Sequence, residues 1–127
     1  MAGQEFTARS MRRSVLNGTR TTHPTPPVIT VQSAKTVVVH IAMEAITGTS
    51  ITFSIWEIHP VTGRLKAAAT LATAAITAAG YATLTIGPGV ATVSNVSLGT
   101  IAPKQFNITP TGTFSSANYD VSVELID

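Results

Sequence analysis

The sequence predicts an all-β protein: an antiparallel β-sandwich, jelly-roll or Ig-like, with an extended N-terminal arm. Three observations predict this fold class. Apolar and polar residues alternate over several segments between residues 28 and 127. Turn signals that contain glycine or proline separate these segments. The first 27 residues contain few large apolar side chains and end in a proline-rich run. A chain of 127 residues is expected to form a single sandwich.

The segment 1–27 is predicted to be a basic arm followed by a stiff linker, and residues 28–127 the β-sandwich domain. The segment ends in Thr-Thr-His-Pro-Thr-Pro-Pro, whose three prolines restrict φ and favour extended backbone. Four arginines and the single Glu5 give residues 1–27 a formal charge of +3, whereas four basic and five acidic residues give residues 28–127 a charge of −1. The basic character therefore belongs to the arm.

The first two alternating segments of the domain are residues 37–44 and 51–56, with Thr47-Gly48-Thr49 as a turn signal between them. Successive side chains of a strand point to opposite faces, so the odd positions line one face. The apolar residues at these positions are Val37, Val39, Ile41, Met43, Ile51, Phe53 and Ile55. We expect two strands that turn these residues to the core.

Three later segments alternate in the same way. They cover residues 81–86, 105–109 and 119–125, and Gly87-Pro88-Gly89 and Pro110-Thr111-Gly112 are read as the ends of the first two. Their predicted inward residues are Ala82, Leu84, Ile86, Phe106, Ile108, Tyr119, Val121, Val123 and Leu125. Together with the earlier segments they supply enough short strands for a sandwich.

The alanine-rich stretch 65–79 is ambiguous. Its alanines favour a helix, but its β-branched residues and the break at Gly80 favour strands. We predict two short strands, at about 65–71 and 74–78.

No catalytic, metal or cofactor site is predicted. The chain has no cysteine, no Gly-x-Ser-x-Gly elbow and no phosphate-binding loop. Glu57 and His59 share a strand face, but two residues form neither a metal site nor a catalytic triad. There is also no apolar run of about 18 residues, so no membrane span is predicted. The composition favours a non-enzymatic protein.

The arginines of the arm are the candidate partner-binding residues: Arg9, Arg12, Arg13 and Arg20. Few aromatic residues accompany them, and so few charges give only weak non-specific binding to nucleic acid. A protein partner is therefore favoured over nucleic acid. Only 11% of the residues are charged, against roughly 25% in an average soluble domain, which favours a surface covered by neighbouring subunits.

Several strand and turn motifs together carry a family resemblance. They are Val37–Glu44, Thr47-Gly48-Thr49, Ile51–Ile58, Pro60-Val61-Thr62-Gly63, Ala74-Ala75-Ile76-Thr77, Ile86-Gly87-Pro88-Gly89 and Tyr119–Ile126. Over residues 36–126 the chain resembles small β-sandwich structural proteins encoded in the virion gene clusters of tailed bacteriophages. It departs from them in the alanine-rich stretch and in the N-terminal arm.

The resemblance implies a virion structural protein, first of all a capsid decoration (cement) protein that binds and stabilises the head shell through its arm and β-domain. Its partners would be the major capsid protein or other virion subunits. The expected assembly is a homo-oligomer such as a trimer, located at the capsid surface of the virion. Two alternatives stay open. One is a tail, head–tail connector or fibre-base subunit, and the other is a carbohydrate- or host-surface-binding module in which Trp56 and Tyr81 stack on sugars.

Overall fold

The computed structural model describes residues 4–6, 12–31, 36–58, 65–91, 97–99 and 104–126. This part of the chain contains strands and no helix, and it forms an all-β, mainly antiparallel sandwich, as the sequence predicts. The strands are β1 (Gln4–Phe6), β2 (Arg12–Arg20), β3 (Val28–Val31), β4 (Thr36–Ile58), β5 (Leu65–Ala72), β6 (Gly80–Ile86), β7 (Ser97–Leu98) and β8 (Gln105–Ile126).

The centre of the fold is a long antiparallel ladder between β4 and β8. It extends from the pair Thr36–Ile126 at one end to the pair Glu57–Phe106 at the other. The outer edge of β8 is covered by β2 and then by β3, both antiparallel to it. The outer edge of β4 is covered by β6 along its first half and by β5 along its second half. Parallel pairs attach β1 to β3 and β7 to β6.

The two halves of this ladder fold over each other. Phe53 is paired in register with Pro110 in one half, and Tyr119 is paired with Met43 in the other. Their rings nevertheless meet edge to face with centroids 5.2 Å apart, a favourable geometry for aromatic pairs. The inner faces of the two halves therefore pack together as the layers of the sandwich.

The two halves fold over at the glycine-containing signals that were predicted to end strands. Residues 47–49 and 110–112 are not turns between separate strands, because β4 and β8 continue through them. Gly48 and Gly112 have φ values of 142° and 119°, which side-chain-bearing residues rarely adopt. The register of the ladder shifts on both sides of Gly48. The glycines bend two long strands instead of ending four short ones, and β-bulges bend a ladder in the same way.

The predicted inward residues form the core. Odd positions of β4 are buried on both sides of the bend, and β8 buries Phe106, Ile108 and the odd positions from Tyr119 to Leu125. Ala82 is half-buried and packs against this cluster. Burying one large apolar side chain contributes about 1.5–3 kcal/mol, so these two strands supply much of the apolar stabilisation.

The N-terminal segment is extended, and its described strands join the chain's own sheet, where β1 pairs with β3 and β2 pairs with β8. Strand β2 carries one buried anchor, Leu16, beside a register shift between Ser14 and Leu16. Between β2 and β3, the proline-rich residues 21–27 follow the bend of β8. Ile108 donates a backbone hydrogen bond to Pro27 O at 3.3 Å, and the His23 ring nitrogen Nε2 lies 2.8 Å from Gly112 O. The linker is therefore attached to the sandwich.

The alanine-rich stretch 65–79 contains one strand, β5, at Leu65–Ala72, and the predicted second strand at 74–78 is wrong. Only Ile76 pairs there, through two backbone hydrogen bonds with Ile51 of 2.9 and 3.1 Å. The reason lies at Thr73, whose hydroxyl accepts the Phe53 N–H at 3.1 Å. A side-chain oxygen thus takes the place of the Thr73 carbonyl, and regular pairing is interrupted between Thr73 and Ile76.

The bend gives a stability prediction. A Cβ at Gly112 would clash with the Ser50 carbonyl oxygen, and the backbone φ is also unfavourable for alanine. We expect Gly112→Ala to lower the free energy of unfolding by about 3 kcal/mol or more, measured by urea denaturation. Gly18 has a φ of 118°, but a Cβ there would meet no atom within 4 Å. Gly18→Ala should therefore lower the free energy of unfolding only by the cost of the strained φ, about 1 kcal/mol.

Gly80→Ala is the neutral control, because a Cβ there meets nothing within 4 Å and φ is not in the unfavourable region. If Gly112→Ala and Gly80→Ala lowered the free energy of unfolding equally, the bend would not depend on glycine.

Candidate functional site

Polar side chains from four strands meet on the outer face of the layer built from β2, β8, β4 and β6. We call this group the Tyr81 cluster; its members are Arg12, His40, Tyr81, Ser122 and Glu124. The register explains the meeting, because Arg12 pairs with Glu124 and His40 pairs with Ser122. All five occupy positions that alternate with the core residues of their strands, and Ser122 among them is itself buried.

The hydrogen bonds of the cluster form one connected chain. His40 Nε2 lies 2.8 Å from Glu124 Oε1, and His40 Nδ1 lies 3.2 Å from the Tyr81 hydroxyl. A carboxylate only accepts, so the neutral imidazole donates through Nε2 and accepts the Tyr81 O–H at Nδ1. Arg12 Nη2 donates to the Tyr81 oxygen at 2.9 Å, and Arg12 Nε donates to Ser122 Oγ at 3.1 Å.

The cluster fixes the orientation of an exposed aromatic ring. Tyr81 is 60% exposed, yet its hydroxyl has two partners on two other strands. Further along this face Ser14 Oγ donates to Asp120 Oδ1, and Asn118 Nδ2 donates to Glu44 Oε2 at 3.0 Å. These contacts attach β2 and β4 to β8 through side chains as well as through the ladder.

A small pocket adjoins the cluster and shares Tyr81 with it. Its volume is 310 Å³. It is formed by the segment that leaves the sheet after Thr73 together with the start of β6, and most of its lining is small and apolar. The lining residues are Ala74, Ala75, Ile76, Thr77, Ala78, Gly80, Tyr81 and Ala82.

A second polar feature lies in the core. The Arg20 guanidinium carbon is 5.8 Å from the Tyr119 ring centroid, a cation–π contact. The buried Arg20 Nε and the Tyr119 hydroxyl both lack a hydrogen-bond partner. Burial raises the pKa of Tyr119 above its usual value of 10, and the positive charge of Arg20 opposes that rise only in part.

The three candidate arginines that the structure describes do not form one patch. Arg12 is engaged in the Tyr81 cluster, and Arg20 contacts Tyr119. Arg13 is exposed on β2, and Arg9 lies outside the described residues. Trp56 is half-buried on the outer face of the other layer, where its Nε1 donates to Ser54 Oγ at 3.1 Å. Trp56 and Tyr81 therefore do not share a surface.

The Tyr81 cluster was not foreseen from the sequence. Its members are scattered along the chain, and only the pairing of β2, β8, β4 and β6 brings them together. His59, the partner considered for Glu57, lies outside the described residues. Within the described ranges, no group of three or more His, Cys, Asp or Glu residues is placed to hold a metal ion. No helix in the same ranges is long and apolar enough to cross a membrane.

Comparisons with protein-family models, with curated proteins and with solved structures find no match to this chain.

The contact between Arg12 and Tyr81 is tested by a double-mutant cycle. We expect Arg12→Ala and Tyr81→Phe to show a coupling free energy of about 0.5–1 kcal/mol in urea unfolding, because both remove the same exposed charged hydrogen bond. Arg12→Ala combined with Trp56→Phe is the control, and these should be additive because the residues lie on opposite outer faces. A coupling no larger than that of the control would mean that the bond does not help to hold β2.

The buried hydroxyl of Tyr119 predicts a pH dependence. Because the folded-state pKa is raised, the neutral phenol is favoured in the fold. Stability is full below about pH 10 and falls as the pH rises through the folded-state value. Tyr119→Phe should lose less stability than the parent protein between about pH 8 and pH 11.

At neutral pH, Tyr119→Phe should be as stable as the parent or more stable by up to about 1 kcal/mol, since the hydroxyl that it removes has no partner. Tyr81→Phe, which removes an exposed hydroxyl, serves as the control and should keep the alkaline loss. An identical alkaline loss in Tyr119→Phe would exclude Tyr119 as its source.

Proposed function

We propose that this chain is a structural protein of a bacteriophage virion, and in particular a capsid decoration protein that binds and stabilises the head shell. The observation that carries the proposal is the edge strand β2. Among the described residues it pairs only with β8, so no strand in that part of the chain covers its second edge. Arg12 and Arg13 are exposed on this strand. The sequence resemblance to virion β-sandwich proteins points to the same role.

An open edge strand offers a physical mode of attachment. A strand of a capsid subunit that pairs with β2 would extend the sheet by main-chain hydrogen bonds, which is β-augmentation. Arg13, an exposed residue of β2, would favour an acidic neighbour and discourage uncontrolled pairing with other copies, since charged residues commonly protect sheet edges. Each contact is weak, but a lattice of repeated sites, or a trimer bound at several of them, multiplies the affinity.

The surface composition supports attachment to a scaffold. The chain has eight basic and six acidic residues among 127, so few charges are available to its surface. A surface with so few charges gives little electrostatic repulsion between copies, which suits dense packing on a shell. A tail, head–tail connector or fibre-base subunit would share this property, and the position in the virion separates these roles.

The proposal predicts that the chain is a component of filled phage heads. Tagged protein should co-sediment with purified filled heads, leave them on mild denaturant treatment, and appear over the shell in negative-stain images of labelled particles. Label restricted to the tail or neck would favour the alternative virion roles. Absence from purified virions would contradict the proposal.

A charge reversal tests the role of β2. Arg13→Glu should weaken binding to heads about fivefold, because it replaces attraction to an acidic neighbour by repulsion worth about 1 kcal/mol. Lys104→Glu makes the same charge change on an exposed residue outside β2 and is expected to bind as the parent does. An equal loss of head binding in both variants would exclude β2 as the edge through which the protein attaches.

A further inference from the structure

Tyr81 presents a largely exposed aromatic ring, 60% accessible, whose hydroxyl is fixed by hydrogen bonds. Its hydroxyl is bound by Arg12 and His40, and His40 is in turn bound by Glu124. An exposed aromatic side chain that is already fixed loses little conformational entropy when a ligand stacks on it. This arrangement is suited to binding a flat, partly apolar ligand.

The neighbouring pocket supplies a recess for part of such a ligand. Its volume of 310 Å³ is at the lower end of the roughly 300–1,000 Å³ typical of small-molecule sites. Ala74, Ala75 and Ala78 keep it shallow and apolar, and Tyr81 lines it on the side of the cluster. The available ligand is therefore about the size of one or two rings.

The charges around Tyr81 favour a neutral ligand with several hydroxyl groups. Arg12 and Glu124 carry opposite charges within one hydrogen-bonded chain, so the cluster gives no net attraction to a cation or to an anion. Arg12 uses Nε and Nη2 within the cluster, and Glu124 uses Oε1. Arg12 Nη1 and Glu124 Oε2 make no hydrogen bond to the described residues, so a donor and an acceptor are left for ligand hydroxyls.

We propose that the Tyr81 cluster and the adjoining pocket form a binding site for a neutral sugar unit of a glycan. The apolar C–H face of a pyranose stacks on the Tyr81 ring, and its hydroxyl groups bond to Arg12 and Glu124. The Tyr81 cluster is on the outer face of the β2-β8-β4-β6 layer, and the pocket adjoins β6, which β8 and β4 separate from β2. The site therefore remains open when a partner strand extends the sheet at β2. This binding activity does not depend on the proposed role in the virion.

The test uses the full chain on an array of neutral oligosaccharides of glucose, galactose, mannose and N-acetylglucosamine, with sialylated and sulfated glycans as charged comparisons. Binding to at least one neutral glycan is expected, and its affinity is then measured by titration calorimetry. Tyr81→Ala should lower the affinity at least tenfold, and Arg12→Ala should lower it several-fold. Trp56→Ala, on the opposite outer face, should leave it unchanged.

Ala75→Phe provides a second variant in case Tyr81→Ala does not fold. It fills the pocket from an exposed position and should also lower the affinity at least tenfold, with thermal unfolding as the check of the fold. Binding of no neutral glycan, binding of charged glycans alone, or binding that survives both Tyr81→Ala and Ala75→Phe would each overturn the proposal.

Discussion

The whole structure depends on the backbone ladder between β4 and β8 and on its bend. Each layer of the sandwich contains half of both strands, so neither layer exists without the ladder. The bend needs Gly48 and Gly112, because side chains there would clash with the backbone of the opposite strand at Phe114 and Ser50. The contact between Phe53 and Tyr119 then closes the sandwich. The other strands pair along edges that this ladder provides.

The faces of the strands could be predicted from the sequence, whereas their ends could not. A period of two is a local property, so the inward positions of β4 and β8 follow directly from alternation. A glycine or proline signal is local too, but its meaning depends on the pairing partner. At Gly48 and Gly112 the ladder continues, so the glycine signal marks a bend. At Gly87 the same kind of signal marks the end of a strand, because β6 ends at Ile86. The composition of residues 65–79 likewise did not show that the Thr73 hydroxyl would replace a ladder carbonyl.

The candidate site could not be predicted from local sequence patterns, because its residues are far apart in the chain. Arg12 and Ser122 are 110 positions apart, and His40 and Glu124 are 84 apart. Each is unremarkable as one polar residue on the outer face of a strand. Only the register of β2, β8 and β4 brings them within hydrogen-bond distance, and Tyr81 joins them from β6. The basic residues noted in the N-terminal segment thus take different roles: Arg12 orients an exposed ring, and Arg20 contacts a buried one.

The position of β8 in the chain has a consequence for biosynthesis. Strands β2, β3 and β4 leave the ribosome well before the strand that pairs with all three of them. Until β8 has emerged, β4 can pair with β5 and β6, but the central ladder and the two layers built on it cannot form. Folding of this kind is governed by non-local pairing, which is slow and exposes strand edges to association in the meantime. Nascent chains interrupted before β8 would present those edges to chaperones and proteases.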